Sequence, residues 1–371
     1  MKKMIYCDSA ASTPIDKQVA EEMNDLSLRT FGNPSSIHKF GQETKAVIER
    51  ARLSIAKNIG CDLSEIIFTG CGSESNNIAL LGTLKNGDHL ITSSYEHPAV
   101  LNVAKYLTTK GVDVSYITPN QDGVINPKDI ENNIKQNTKL ISIMYVNNEL
   151  GTINPVDDIG IIARNNKVLL HTDAVQIIGK KKISLESHNI DLLSMSAHKF
   201  YGPKGVGALY IKDGVNLSTT YFGGGQEKDL RPGTENIVGI YGMSMALNKS
   251  IRELSEWEKK INEYEVAFID YLNKKKIKFK INGEKRIPGI INISFNDILS
   301  QDLVMALDIR GYAISGGSAC SSGSIKPSST LKEIGMSDDM AIRTVRISFG
   351  KNLSKKNIIS LSKAICDIID N

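Results

Sequence analysis

Val168-Leu169-Leu170-His171-Thr172-Asp173-Ala174-Val175-Gln176 opens on an uninterrupted apolar run and closes on a carboxylate and an amide. A strand with one wet face alternates apolar and polar residues, whereas this run is apolar on both faces, as a strand between two helical layers is. Comparable runs stand at Glu65 to Thr69, His89 to Thr92, Val112 to Ile117, Leu140 to Val146 and Leu192 to Met195, most of them separated by helical stretches. Strands alternating with helices predict an α/β fold with a mostly parallel sheet. In such sheets ligands bind outside the carboxyl ends of the strands, where the polar clusters of this chain fall. Upstream, Val47, Ile48, Ala51, Ile55 and Ile59 share one face at helical spacing, predicting an amphipathic helix over 42–59. From about Asn236 to Lys274 the pattern is helical at length, followed by a strand at Ile290 to Phe295 and helices at Asp302 to Ile309 and Lys355 to Ile369. This part reads as a second, smaller domain.

A chain of 371 residues with 41% apolar content can bury a large core. Its formal net charge of +4 offers no strong field for nucleic acid or a membrane surface, and no run of 18 apolar residues is present to span a bilayer. Small-molecule chemistry is the expectation, with no direct nucleic-acid partner and no membrane. Met1 to Ala11 lack the apolar stretch of a secretory signal. The five cysteines, Cys7, Cys61, Cys71, Cys320 and Cys366, are odd in number and scattered, so a reducing, cytoplasmic setting is expected rather than a disulfide framework. None forms a C-x-x-C pair and the six histidines are dispersed, so no metal site is expected. Lys180 to Lys182 and the Lys274 to Lys280 stretch read as solvated surface, and no internal repeat is visible.

Ser194-Met195-Ser196-Ala197-His198-Lys199 ends a predicted strand, and the turn-rich Phe200-Tyr201-Gly202-Pro203-Lys204-Gly205 follows. Lys199 thus stands at a strand exit. Schiff-base chemistry needs an amine of depressed pKa, which partial burial beside other cations supplies. Asp173 closes the preceding predicted strand, and a buried carboxylate is costly unless paired. Opposite a pyridine nitrogen it would keep the ring protonated, and that makes pyridoxal phosphate an electron sink.

These two segments, with Gly223-Gly224-Gly225-Gln226-Glu227 and Arg231-Pro232-Gly233-Thr234-Glu235-Asn236, resemble the cysteine desulfurases of the IscS/NifS type, within the class V aminotransferases. The resemblance runs from Asp8-Ser9-Ala10-Ala11-Ser12-Thr13-Pro14 through Phe31-Gly32-Asn33-Pro34-Ser35-Ser36 to Arg346-Ile347-Ser348-Phe349-Gly350. It implies the aspartate aminotransferase-like fold type I of pyridoxal-phosphate-dependent transferases. In that reading, 15–250 is a large cofactor-binding domain with a mostly parallel mixed sheet. Residues 1–14 and 251–371 form a smaller α/β domain carrying a cysteine loop at about 314–328.

The same resemblance implies the roles of single residues. Lys199 is the catalytic lysine that tethers pyridoxal 5'-phosphate and moves the substrate α-proton, and Asp173 pairs with the pyridinium. His97, in Glu96-His97-Pro98, is catalytic and stacks on the cofactor ring. Gln176 and Asn148 surround the phenolate oxygen. Gly72 and Ser73, in Gly70-Cys71-Gly72-Ser73-Glu74, hold the phosphate at a helix start, where free N–H groups and the dipole favour an anion; Ser196 and His198 complete the pocket. Many relatives carry Ala-Thr where this chain has Gly72-Ser73, which keeps the hydroxyl. Thr234 reaches the neighbouring subunit's phosphate, implying a homodimer, and Arg346 and Asn33 bind the substrate carboxylate.

Ser315-Gly316-Gly317-Ser318-Ala319-Cys320-Ser321-Ser322-Gly323-Ser324 is mostly serine and glycine, a composition that resists a single rigid conformation and leaves Cys320 reachable. By resemblance Cys320 takes sulfur from L-cysteine as a persulfide, leaving L-alanine, and hands it to acceptor proteins, either an iron–sulfur scaffold or a tRNA-thiolation enzyme. The alternatives are another class V enzyme, an aminotransferase or selenocysteine lyase in which Cys320 is incidental, and a non-catalytic scaffold of the same fold. Products from cysteine separate the first, and uptake of a yellow cofactor the second.

Overall fold

The computed structural model describes residues 4–316 and 327–370. Its strands, in chain order, are β1 (Ile5–Tyr6), β2 (Ile66–Thr69), β3 (His89–Ser93), β4 (Asp113–Ile117), β5 (Thr138–Ser142), β6 (Leu169–Asp173), β7 (Leu192–Ser196), β8 (Gly207–Ile211), β9 (Phe279–Asn282), β10 (Ile290–Phe295), β11 (Tyr312–Ala313), β12 (Ser315–Gly316) and β13 (Thr344–Ser348). The first four helices are α1 (Lys17–Arg29), α2 (Lys39–Ile59), α3 (Gly72–Thr83) and α4 (Pro98–Thr108).

The main sheet has the order β2-β8-β7-β6-β5-β3-β4. All its pairs are parallel except the two that β8 makes with β2 and β7. Because only β8 is reversed, the chain leaves β2, β3, β5, β6 and β7 at the same edge. Every residue of β2, β3 and β7 is buried, as helices on both faces require. This is the expected α/β architecture with a mostly parallel mixed sheet.

The helix over 42–59 is seen as Lys39–Ile59, one turn longer at its start. Its apolar face, including Val47, Ile48, Ala51, Ile55 and Ile59, is buried. It stops at Gly60, whose φ of 71° is a left-handed cap that glycine adopts without steric cost. The run to Val146 is shorter as a strand than its apolarity predicts: β5 ends at Ser142, and Ile143 to Val146 continue as a buried segment whose amides at Ile143 and Tyr145 bond the carbonyls of His171 and Asp173. Bonding to β6 therefore continues past the last residue of β5, along part of the predicted run.

The second sheet, β12-β13-β10-β9, is antiparallel throughout. Its apolar cluster joins Phe268, Ile293, Ile347 and Leu361 to Cys7 near the amino end. Cys7 arrives there because β1 pairs in parallel with β11 and the Cys7 amide bonds Ala313. A bridge between Asp8 and Ser348 then carries the following residues toward the edge of the main sheet. Among the described residues no helix is long and apolar enough to cross a membrane.

Candidate active site

The exits of β2, β3, β6 and β7 open on a cavity of about 370 Å³. Gly72, Ser73, His97, Asn148, Asp173, Gln176, Ser196, His198, Lys199 and Arg346 line it together. The topology explains the convergence of residues far apart in sequence. Each follows the carboxyl end of a co-directional strand, except Arg346, which projects from β13 of the second sheet.

Asp173 is the last residue of β6 and is 6% exposed. Its Oδ2 accepts from Asn76 Nδ2 at 2.7 Å and its Oδ1 from the Val175 amide at 3.0 Å. Two donors thus satisfy the oxygens of the buried side chain. Asn76 comes from α3, and its own Oδ1 is buried without a protein partner.

Lys199 ends the short turn that follows β7. Its Nζ donates to the carbonyls of Ala10 at 2.7 Å and Ala11 at 2.8 Å. Burial, reinforced by the Arg346 guanidinium, pushes this amine from 10.5 down to about 8, against the opposing pull of Asp173 and Asp8. The segment that supplies the carbonyls is pinned by Thr13, whose amide and hydroxyl both donate to the His198 carbonyl and whose hydroxyl accepts from the Tyr201 amide.

His97 caps α4: its Nδ1 accepts from the Ala99 amide at 3.1 Å, and Pro98 supplies the first helical position. The bond leaves Nε2 as the proton-bearing nitrogen of the neutral ring. Burial lowers its pKa, with Lys199 adding to the effect and Asp173 opposing it. A helix-start role and a place in the cavity therefore belong to one residue. His198 is lowered further, to about 4, by burial and then by Lys199, Lys204 and Lys180. Its Nδ1 lies 3.2 Å from Ser12 Oγ.

At the start of α3, Cys71 makes no side-chain cap bond, so the first amides of the helix, at Gly72 and Ser73, face the cavity without an internal acceptor. A Cβ added at Gly72 would meet Val175 Cγ2 at 2.7 Å, so with Val175 in its present rotamer the glycine lets the helix start close to the segment after β6. Arg346, 8% exposed, is held on two sides: Nη2 donates to Asp8 at 2.8 Å and Nη1 to the Asn148 carbonyl at 2.8 Å. Its buried Nε has no partner.

Asn33 and Thr234 are exposed and do not line this cavity, and Cys320 lies outside the described residues. Several side chains of the site were not read from the sequence as functional. Asp8 and Asn76 hold Arg346 and Asp173. Glu149, half-buried and raised in pKa by desolvation, accepts from Ser328 and Thr330. Glu96, whose Oε1 accepts from Ser93 and the Met144 amide, is pushed up to about 8 by burial. Lys180 departs from the solvated basic run: Lys181 and Lys182 are exposed, but Lys180 donates to Gln176 Oε1 at 2.9 Å. Nothing in the sequence run separates it from Lys181 and Lys182; the contact made in the fold does.

The residues suit pyridoxal phosphate in kind. A lysine of lowered pKa, a donor-supported carboxylate, an uncapped helix start and an unpartnered buried amide oxygen at Asn76 match, in order, an aldehyde, a ring nitrogen, a phosphate and a polar ligand edge. The class-V aminotransferase family model matches residues 5–361. Cysteine desulfurase IscS of Dictyoglomus turgidum is 42% identical over 364 residues, covering 96% of this chain and 92% of that protein. The cysteine desulfurase IscS of Clostridium botulinum is 39% identical and covers 100% and 95%. A solved NifS-like protein superimposes with a TM-score of 0.92 at 36% identity, covering 99% of each chain, and a structure described as SspA in complex with cysteine does so with 0.82 at 40% identity, covering 93% and 98%. The chain belongs to the class-V aminotransferases and, within them, to the cysteine desulfurases, enzymes that depend on pyridoxal phosphate.

Proposed function

We propose that this enzyme takes L-cysteine, releases L-alanine and leaves the sulfur as a persulfide on Cys320 for transfer to an acceptor protein. The observation that carries this reading is the placement of Lys199 and Asp173 in one cavity, with the amine brought down to about 8. When bound, the cofactor supplies a protonated ring that absorbs the electrons released as the substrate Cα–H bond breaks.

The chain's own residues have distinct parts in this proposal. Lys199, neutral in appreciable fraction near pH 8, tethers the cofactor and then accepts the α-proton. Asp173, fixed by Asn76 and the Val175 amide, faces the ring nitrogen. His97 would cover the ring, Gly72 and Ser73 with Ser196 and His198 would hold the phosphate, and Gln176 and Asn148 would serve the phenolate oxygen, all of them lining the one cavity. Arg346 binds the substrate carboxylate with Nε and one Nη, and Asn33 assists. Cys320, as thiolate, attacks the substrate sulfur; the S–S bond forms as the Cβ–S bond breaks, and its electron pair stays on carbon, which takes a proton. No external oxidant is consumed.

Two further readings go with this one. Residues 15–250 form the cofactor domain, and 1–14 with 251–371 form the smaller domain. The enzyme works as a homodimer in a reducing, cytoplasmic setting, with Thr234 reaching the other subunit's phosphate. Supporting the dimer, Phe31, Ile37, Phe40, Tyr221 and Phe222 are exposed apolar residues, and the neighbouring Pro34 and Ser35 share a cavity with Gly225 and Gln226 of the Thr234 loop. The acceptor is an iron–sulfur scaffold or a tRNA-thiolation enzyme. The testing experiment is product analysis of the holoenzyme given cysteine and a thiol reductant: equal amounts of alanine and sulfide support the proposal, and pyruvate or another keto acid overturns it.

A further inference from the structure

We infer that Lys180 is a positioning residue for the reaction, acting through Gln176: its ammonium sets which way round the Gln176 amide faces the cofactor cavity. This rests on the proposal that Gln176 serves the cofactor's phenolate oxygen.

A side-chain amide can sit in two orientations that exchange its oxygen and nitrogen, and its neighbours decide between them. Here the neighbours leave one choice. Lys180 Nζ, which as the ammonium can only donate, is 2.9 Å from Oε1. The Ala10 carbonyl, which can only accept, is 2.8 Å from Nε2. Reversing the amide would set donor against donor and acceptor against acceptor. Nε2 carries a second hydrogen, and Gln176 lines the cavity, so the locked amide offers a donor to an anionic oxygen there.

The Ala10 carbonyl also accepts from Lys199 Nζ at 2.7 Å. A continuous chain of hydrogen bonds therefore runs from Lys180 through Gln176 and Ala10 to the catalytic amine. Lys180 is kept in unfavourable company. Burial, and then the cations Lys199 and Arg346, bring it from 10.5 down to about 7; His198 feels it in turn. Asp173 and Asp8 are the acidic groups of the same surroundings, and they face Lys199. A surface lysine would avoid this crowding at no cost, as Lys181 and Lys182 do. Without Lys180 only the Ala10 carbonyl orients the amide, so the face that offers a donor to the phenolate is less firmly fixed and the anionic form is less well supported.

The test is a pH titration of the visible absorption band of the Lys199–cofactor linkage in the holoenzyme, a readout independent of turnover. Lys180→Met is expected to raise the protonation midpoint by about one pH unit, a tenfold change, while Lys180→Arg stays within about 0.3 unit of the native enzyme. Gln176→Leu shifts it the same way, and Lys180→Met combined with Gln176→Leu moves it no further than Gln176→Leu alone. Lys180→Leu carries the same expectation should Lys180→Met not fold. A midpoint unmoved in the apolar variants, or additive shifts in the double variant, overturns the inference. A native protein that forms no linkage at Lys199 defeats the functional proposal instead.

Discussion

Arg346 and Asp8 form an ion pair of 2.8 Å at the rim of the cavity, joining the last strand of the second sheet to the first residues after β1. The pair fixes the guanidinium in a direction, since Nη1 is also held by the Asn148 carbonyl and Nε alone is left buried and unpartnered. In the proposed function, this planar fork, held at two corners, would meet the substrate carboxylate at the third.

Replacing this fork should affect binding more than chemistry. Arg346→Lys is expected to raise the KM for cysteine about 10- to 100-fold, the worth of one charge-assisted hydrogen bond, with a smaller change in kcat and unchanged cofactor content. Steady-state kinetics with a cofactor absorbance count check it.

Lys199 should show its lowered pKa in a direct way. Only the neutral amine attacks an aldehyde, so cofactor capture by the apoprotein should accelerate as pH rises and level off above about 8, not near 10.5. Below that pH the ammonium form dominates and capture slows tenfold per unit. Arg346→Gln removes a cation that helps depress the amine, and its inflection should lie higher. Stopped-flow absorbance across pH 6 to 10 measures both, pH being the experimenter's range of roughly four units around the expected inflection.

The fold of this site was legible where chemistry and periodicity agree. Val168 to Gln176 announces both a doubly buried strand and the carboxylate at its end, and Lys199 is found because a polar cluster follows another such run. Less was visible where a residue works through its neighbours. Asn76 lies in a small-residue helix with no pattern of its own, and Asp8 meets Arg346 only because β1 pairs with β11 some 300 residues away in the chain, Ile5 with Tyr312. The strand β8, Gly207–Ile211, was not read as one; a short run that starts on glycine gives little signal, and its antiparallel place between β2 and β7 is a long-range outcome. Lys180 looked solvated because charge runs usually are, and only its contact with Gln176 distinguishes it from Lys181 and Lys182.

Asn76 supplies a second mutational test. Asn76→Leu removes the 2.7 Å donor to Asp173 and leaves Oδ2 buried with no protein partner. The variant should be less stable by about 1.5–3 kcal/mol, and should hold the cofactor more weakly because the carboxylate proposed to meet the ring nitrogen loses the side chain that positions it. Urea unfolding and a cofactor titration report the two effects separately.

Arg52 and Glu227 make a buried bidentate pair, both Nη–O distances 2.8 Å, and Glu227 also accepts from the Phe68 amide. Glu227 sits at φ 44° in the loop that ends at Thr234. Arg52→Met should cost about 3–5 kcal/mol by leaving that carboxylate buried without its cation. Adding Glu227→Leu to it should recover part of the loss, and equilibrium denaturation of the two variants decides the matter.

The central claim is that sulfur moves from cysteine to Cys320. Mass spectrometry of the Cys320 peptide, taken from holoenzyme quenched after cysteine and alkylated, measures it. The expected result is a gain of one sulfur atom on Cys320, matched by alanine, and no catalytic alanine formation by Cys320→Ala. An unmodified Cys320 during turnover, or a Cys320→Ala enzyme that forms alanine at the native rate, would contradict it.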